Sequence, residues 1–187
     1  MMRLRYLILT LLCSVLFSLE HYAQSDSLFR DTTLLLYHQN GKPQSVEQFN
    51  ADGEYHGVFM RFNQRGAVSL VRNYKDGKLH GKVLDLNSNG QIVEQSHYVH
   101  GLLTGAQEKF YPTGEKQSYT EYQNGVKNGK AIWYYRNGNM NTAYKYQNDD
   151  LQGKAKTYYK NGAIKSIFTY RNNKREGEYK EFYENGQ

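Results

Sequence analysis

The sequence predicts an all-β repeat array, in which 24-residue β-hairpins join into an elongated, twisted, single-layer antiparallel sheet. Three observations predict it. Glycines fall in three columns: 41, 66, 90, 114, 138, 162 and 186; then 53, 77, 101 and 125; then 57, 81, 105, 129, 153 and 177. These columns use all 17 glycines of the chain. Asn-Gly and Asp-Gly, the preferred pairs for tight hairpin turns, recur in the first two columns. Two aromatic columns keep step with the glycines. Apart from one extra residue in the first unit the spacing is 24 throughout, and a fixed period of this size marks stacked supersecondary units.

The chain begins with two arginines, Arg3 and Arg5, followed by an apolar run over 6–19 and then by Glu20-His21-Tyr22-Ala23. A basic start, an apolar stretch shorter than a bilayer span and a small residue at its end read as a secretory signal peptide over 1–23, cut after Ala23. Cys13, the only cysteine, leaves with it, so the mature chain has no disulfide and no thiol chemistry. The expected location is exported: periplasmic, cell-envelope or secreted. Residues 24–36 fall outside the period and end in Thr32-Thr33-Leu34-Leu35-Leu36. They read as a capping strand over the first hairpin.

The array itself runs over 37–187, about six units and part of a seventh. Five first-column turns are Asn-Gly, at 40–41, 89–90, 137–138, 161–162 and 185–186. In the second column Asp149 and Asn173 stand where glycine is lost, and these side chains tolerate a left-handed backbone. Both columns are expected to form two-residue type I′ turns. At ~4.8 Å between strands each unit advances the sheet by ~10 Å, so six units span about 60 Å. One aromatic column is Tyr37, Phe62, Leu86, Phe110, Tyr134, Tyr158 and Phe182; the other is Phe49, Tyr74, Tyr98, Tyr122, Tyr146 and Tyr170. Equivalent rings are expected to stack along the array. The third glycine column opens a strand, and a neighbouring ring is expected over the bare backbone there.

Composition narrows the function. Mean hydropathy is −0.83, yet 14% of residues are aromatic, 18 of them Tyr, which disordered chains lack. Tyr buries a ring and keeps its hydroxyl wet, which suits a thin structure. Net charge is +6. Without Arg3, Arg5 and Glu20 there remain 22 basic and 17 acidic groups, a mild excess that permits attraction to anionic surfaces and does not indicate nucleic acid.

The unit Gly-x-x-x-Gly-x-x-x-x-Tyr-Tyr-x-Asn-Gly, as in Gly125 to Gly138, together with Gly153-Lys154-Ala155-Lys156-Thr157-Tyr158-Tyr159-Lys160-Asn161-Gly162, resembles the bacterial variant of the MORN repeat. Arrays of this kind are similar to YwqK-family antitoxin proteins. The resemblance covers 37–187. It implies the hairpin fold, membrane association or scaffolding, and, through the antitoxin name, neutralisation of a toxin partner. It brings no catalytic residue and no cofactor.

Chemistry is sparse. His97 and His100 with Glu94 come closest to a metal cluster, but His97 ends a strand while His100 sits in a turn. His56 and His80 share one repeat position, ~10 Å apart. No Gly-x-Ser-x-Gly elbow, paired catalytic carboxylates or phosphate loop occurs, so no enzyme, metal or cofactor is expected. Two surfaces stand out. Over 151–175 the cations Lys154, Lys156, Lys160, Lys165, Arg171, Lys174 and Arg175 interleave with aromatics and no acid, a pattern suited to anionic lipid or glycan. Trp133 with Tyr111, Tyr135, Tyr159 and Tyr183 forms an aromatic stripe expected opposite the first column, fit for protein or sugar. The expected function is that of a non-enzymatic exported repeat protein, acting as a protein-binding or cell-envelope scaffold surface. Peripheral binding to anionic membrane or glycan through 154–175 and antitoxin-like action are the alternatives.

Overall fold

A computed structural model describes residues 31–187. The signal peptide expected over 1–23, with Cys13, lies outside the described residues, as does most of the cap expected over 24–36. The described chain is all β. Its sixteen strands are β1 (Thr32–Tyr37), β2 (Pro43–Phe49), β3 (Gly57–Phe62), β4 (Val68–Lys75), β5 (Lys78–Leu79) and β6 (Gly81–Leu86). Then follow β7 (Ile92–Val99), β8 (Leu102–Leu103), β9 (Gly105–Phe110), β10 (Lys116–Gln123) and β11 (Val126–Tyr134). The last are β12 (Met140–Gln147), β13 (Asp150–Leu151), β14 (Gly153–Tyr158), β15 (Ile164–Arg171) and β16 (Lys174–Glu181).

All sixteen belong to one antiparallel sheet that never doubles back: β1-β2-β3-β4-β6-β7-β9-β10-β11-β12-β14-β15-β16, with β5, β8 and β13 beside the strands they follow. β1 pairs β2 over Thr32↔Phe49 to Tyr37↔Pro43, so the described part of the expected cap is an end strand of the sheet.

The two turn columns differ in kind. Asp76-Gly77, His100-Gly101, Asn124-Gly125, Asn148-Asp149 and Asn172-Asn173 have positive φ at both residues, the type I′ signature. The first column is different, and the expectation of type I′ there is corrected. Only its glycines have positive φ. Each turn is closed three residues wide, as in Tyr135 N→Asn139 O (2.8 Å) and Gly138 N→Tyr135 O (3.0 Å). This is a type I turn completed by a left-handed glycine, the common three-residue hairpin loop. The extra residue of the first unit lies in such a loop over 51–53, where Asn50 N donates to Glu54 O.

The third glycine column is a bulge. Across the turn at 124–125 the register runs Gln123↔Val126 and Tyr122↔Lys127, then jumps to Thr120↔Ala131. Gly129 absorbs the jump at φ +126. Tyr146 faces Gly129 across the strands, but what a Cβ there would strike first is a carboxylate, Glu121 Oε2, which accepts the Lys130 N–H freed by the bulge (2.7 Å). Gln48 does the same for Val58 beside Gly57.

Alternation puts the aromatic columns on opposite faces. One face, the tyrosine face, carries Tyr74, Tyr98, Tyr122, Tyr146 and Tyr170, each opposite a third-column glycine, as in Gly57↔Tyr74 and Gly153↔Tyr170. Equivalent rings, ~10 Å apart, do not stack on one another; the second residue after each second-column turn lies between them. Tyr55 stacks on Phe49 at 4.7 Å and on Tyr74 at 5.1 Å, while Leu79, Leu103, Lys127, Leu151 and Arg175 pair Tyr74, Tyr98, Tyr122, Tyr146 and Tyr170. Mid-strand, large faces small. Ala131 and Ala155, 0% and 1% exposed, lie opposite Tyr144 and Phe168.

Gly129→Val is expected to lower the melting temperature, since it adds left-handed strain of about 1–3 kcal/mol and displaces Glu121. Gly153→Val, where nothing lies within 4 Å of the added Cβ, is expected to cost less. Equal melting temperatures for Gly129→Val and wild type would remove this account of the bulge.

Candidate functional site

The two edges of the sheet hold the units in register and leave the faces open. Along the type I′ edge the second turn residue donates backward to the preceding unit: Gly77 N→Tyr55 O, Gly101 N→Leu79 O, Gly125 N→Leu103 O, Asp149 N→Lys127 O and Asn173 N→Leu151 O, at 2.8–3.2 Å. Where glycine is lost the side chain adds a bond, from Lys127 N to Asp149 Oδ1 and from Leu151 N to Asn173 Oδ1, both 2.8 Å. The other edge is laced by side chains. Tyr111, Tyr135 and Tyr159 each donate their hydroxyl to the carbonyl of Tyr134, Tyr158 and Phe182, all at 2.8 Å. Asn40, Asn137 and Asn161 donate their amides to the next turn.

The aromatic stripe is therefore divided. Tyr135 and Tyr159 are turn residues whose hydroxyls are spent inside the array, with the Lys165 ammonium 5.7 Å from the Tyr159 ring centre. Trp133 alone stands on the tyrosine face.

The cations over 154–175 are separated as well. Lys154 and Lys156 alternate with Ala155 and occupy the opposite face, together with Lys130 and Lys145, which face each other across β11 and β12. Sequence reading passed over that last pair, because they meet only through the register of the two strands of one hairpin. Lys160 lies in a turn, and Lys174 follows a turn on the other edge. Arg171 pairs with Glu176 at 3.3 Å. Arg175 lies on the tyrosine face, its guanidinium 4.3 Å from the centre of Phe168. No single face gathers the seven.

The histidines also disperse. His100 meets His80, ring centres 5.1 Å apart, and burial followed by the His100 charge pulls the His80 imidazole down. His56 Nδ1 meets Asp76 Oδ1 at 3.0 Å. Among the described residues no three His, Cys, Asp or Glu side chains converge on a common point.

What the tyrosine face does gather is a shallow depression of about 350 Å3, lined by Gln107, Lys109, Ser118, Thr120, Lys127 and Trp133, with Gln117 and Tyr122 beside them. Trp133 lies between two small hydroxyl residues, Ser118 on β10 and Thr142 on β12. Its ring meets the edge of Tyr144 at 5.7 Å and is 37% exposed. Glu94 braces one wall by accepting from Gln107 Nε2 (2.7 Å) and pairing with Lys109 Nζ (3.2 Å). Burial raises the Tyr122 hydroxyl, which stays a neutral donor. Sequence reading named Trp133 and missed Lys127, Gln107 and Ser118. They are adjacent only through register.

A comparison with protein families matches the MORN repeat variant over residues 103–124, 127–148, 151–172 and 175–187. The four stretches start 24 residues apart and support a MORN-repeat protein. The units before residue 103 share the register, with Gly57↔Tyr74 and Gly81↔Tyr98 repeating Gly129↔Tyr146. No curated protein matches the chain. Among solved structures the chain is similar to S. aureus TarM, a mutant crystallised with Fondaparinux, alpha-GlcNAc-glycerol and UDP. Identity is 11% and the TM-score 0.31, over 64% of this chain and 21% of that one. The chain thus spans about a fifth of that protein's length.

Tyr135→Phe is expected to cost about 1 kcal/mol by leaving the Tyr158 carbonyl unpaired, read as a lower melting temperature with unchanged circular dichroism. On the opposite face Glu108 accepts from Lys116 and Gln95, and the Lys116 bond, ahead of burial, holds its carboxyl below the usual range. Its contribution is therefore present above the unfolded-state pKa of about 4.3 and fades as pH falls through the lower folded value. Glu108→Gln is expected to flatten the acid limb of a melting-temperature profile between about pH 5 and 3; an unchanged limb would deny the linkage.

Proposed function

We propose that this chain is a non-enzymatic, exported binding scaffold of the cell envelope, which holds another macromolecule on its tyrosine face. The observation that carries the reading is the placement of Trp133. Its repeat equivalents are Leu36 in the end strand and then Arg61, Asp85, Lys109, Thr157 and Glu181, none of them aromatic, so the hairpin does not require a large ring there. An indole more than a third exposed is a cost in water that a partner removes. The scaffold under it is stiff, because both edges are bonded from unit to unit, and a pre-ordered face loses little entropy on binding. Export rests on the residues before 24, whose basic, apolar and small-residue order is that of a leader.

The opposite face offers Lys130, Lys145, Lys154 and Lys156 to an anionic surface. No ring stands out from the repeat there as Trp133 does, and the cations named from sequence point several ways, so the tyrosine face is preferred.

Affinity capture from envelope extract tests the reading. Immobilised protein is expected to retain a discrete macromolecule that Trp133→Ala loses, while Tyr183→Ala, at an exposed turn, keeps it. Retention of nothing, or retention equal with and without Trp133, would refute the proposal.

A further inference from the structure

We propose that the depression around Trp133 binds an acidic saccharide, with a sugar ring stacked on the indole and its anionic group held by Lys127. The inference rests on reading the tyrosine face as the binding surface and names what occupies it.

Two departures from the repeat meet in this one unit. Along the type I′ edge the residue between successive tyrosines is Leu79, Leu103 and Leu151, with Tyr55 in the first unit and Arg175, which lies over Phe168, in the last. In the β11 unit the place is taken by Lys127, opposite Tyr122. Its ammonium lies 5.1 Å from the centre of Tyr146 and meets no carboxylate among the described residues. Six residues on, and on the same face, a column otherwise without a ring yields Trp133. The array thus exchanges an apolar residue for a cation and a polar residue for a ring, and both line one depression.

The rest of the lining says what chemistry fits. Ser118 and Gln117 make no side-chain hydrogen bond among the described residues, and neither does the Trp133 indole N–H. These are donors and acceptors left wet around an exposed ring. Gln107 and Lys109 are fixed from behind by Glu94. The small residues Ser118 and Thr142 on either side of Trp133 leave the indole open to a flat ligand.

A volume near 350 Å3 lies at the lower end of ordinary small-ligand sites, about 300–1,000 Å3. An apolar peptide anchor would bury these polar groups unpaired, at a cost. A pyranose ring presents C–H groups to the indole and hydroxyls around its rim, so it satisfies both. The ammonium of Lys127 then selects a carboxylate or similar anion on the sugar.

Trp133 is the only tryptophan in the chain, so its emission reports this site alone. The purified full chain is titrated with trigalacturonate and with a hyaluronan oligosaccharide, maltotriose serving as the neutral control. At least one acidic sugar is expected to give a saturable emission change that weakens at about 0.5 M salt, where screening reaches within a few ångströms. Lys127→Gln is expected to raise its Kd by about tenfold, the scale of one charge-assisted contact. By calorimetry Trp133→Ala abolishes the heat of binding with melting temperature retained. The proposal is overturned if neither acidic sugar binds, if maltotriose binds as tightly, or if Lys127→Gln leaves the Kd unchanged. A Trp133-dependent polypeptide captured from extract, with no saccharide binding, would sink this inference and keep the scaffold; no capture and no titration would sink both.

Discussion

The structure depends on what happens where two hairpins meet. Within a first-column hairpin six residue pairs are in register, as from Gly129↔Tyr146 to Tyr134↔Met140. Beyond the bulge, neighbouring hairpins share as few as two, such as Thr142↔Thr157 and Ala143↔Lys156. Twist makes this unavoidable. Long strands that rotate against each other meet at their middles and splay at their ends. The splay strips backbone groups of partners at both edges, and an unpaired polar group is costly wherever water is scarce. Each edge closes the gap in its own way. The type I′ edge uses the N–H that the left-handed second turn residue directs at the previous unit; the other edge uses tyrosine hydroxyls and asparagine amides. Take either away and the hairpins remain, but nothing fixes their spacing.

That arrangement explains how a sheet without a second layer manages. Few side chains are fully covered, and the innermost positions hold Ala131, Ala155, Ser45, Phe168, Val83 and Ser166. Large side chains lie across from small ones instead of against another sheet. Stability is then local, a sum over units and their junctions, and no one residue dominates. The bulge glycines fit the same scheme. By letting the strand jump register, they allow a short arm to finish the turn and a longer one to start the next hairpin, and a side chain such as Glu121 takes up the N–H that the jump frees.

The fold was legible in sequence because its causes are local. A left-handed turn needs Gly, Asn or Asp, and these recur with the period. The aromatic columns were legible for the same reason. What escaped notice depends on relations that composition does not encode. Asn-Gly serves both turn types: at 124–125 both residues are left-handed, at 137–138 only the glycine is, and the dipeptide is identical. The third glycine does open a strand at Gly57, Gly81, Gly105 and Gly153; what spacing hid is the bulge it absorbs, since a bulge adds residues to one strand only. Tyr135 and Tyr159 looked like a free stripe because a hydroxyl reaching a carbonyl 23 residues on leaves no trace in spacing. The lysines over 154–175 looked like one patch because they are near in sequence, whereas alternation and turns send them to two faces and two edges.

A repeat protein supplies its own control for telling function from architecture. At each of the 24 positions the other units show what the hairpin tolerates, so a residue is informative in proportion to its departure from that column. Tyr146 is unremarkable by this measure, since Tyr74, Tyr98, Tyr122 and Tyr170 share its place. Lys127, where three units carry leucine, and Trp133, where no other unit carries a ring, are not. One departure alone would be drift. Two of opposite chemical sense, brought onto one depression by a register neither residue controls, are hard to explain by what the sheet needs. A lysine between tyrosines gives up apolar contact, and an exposed indole gives up solvation, so each change leaves the free protein less well satisfied. Such losses persist at sites where a bound partner makes them good, which is the ground for proposing recognition on the tyrosine face at β11 rather than along the array as a whole.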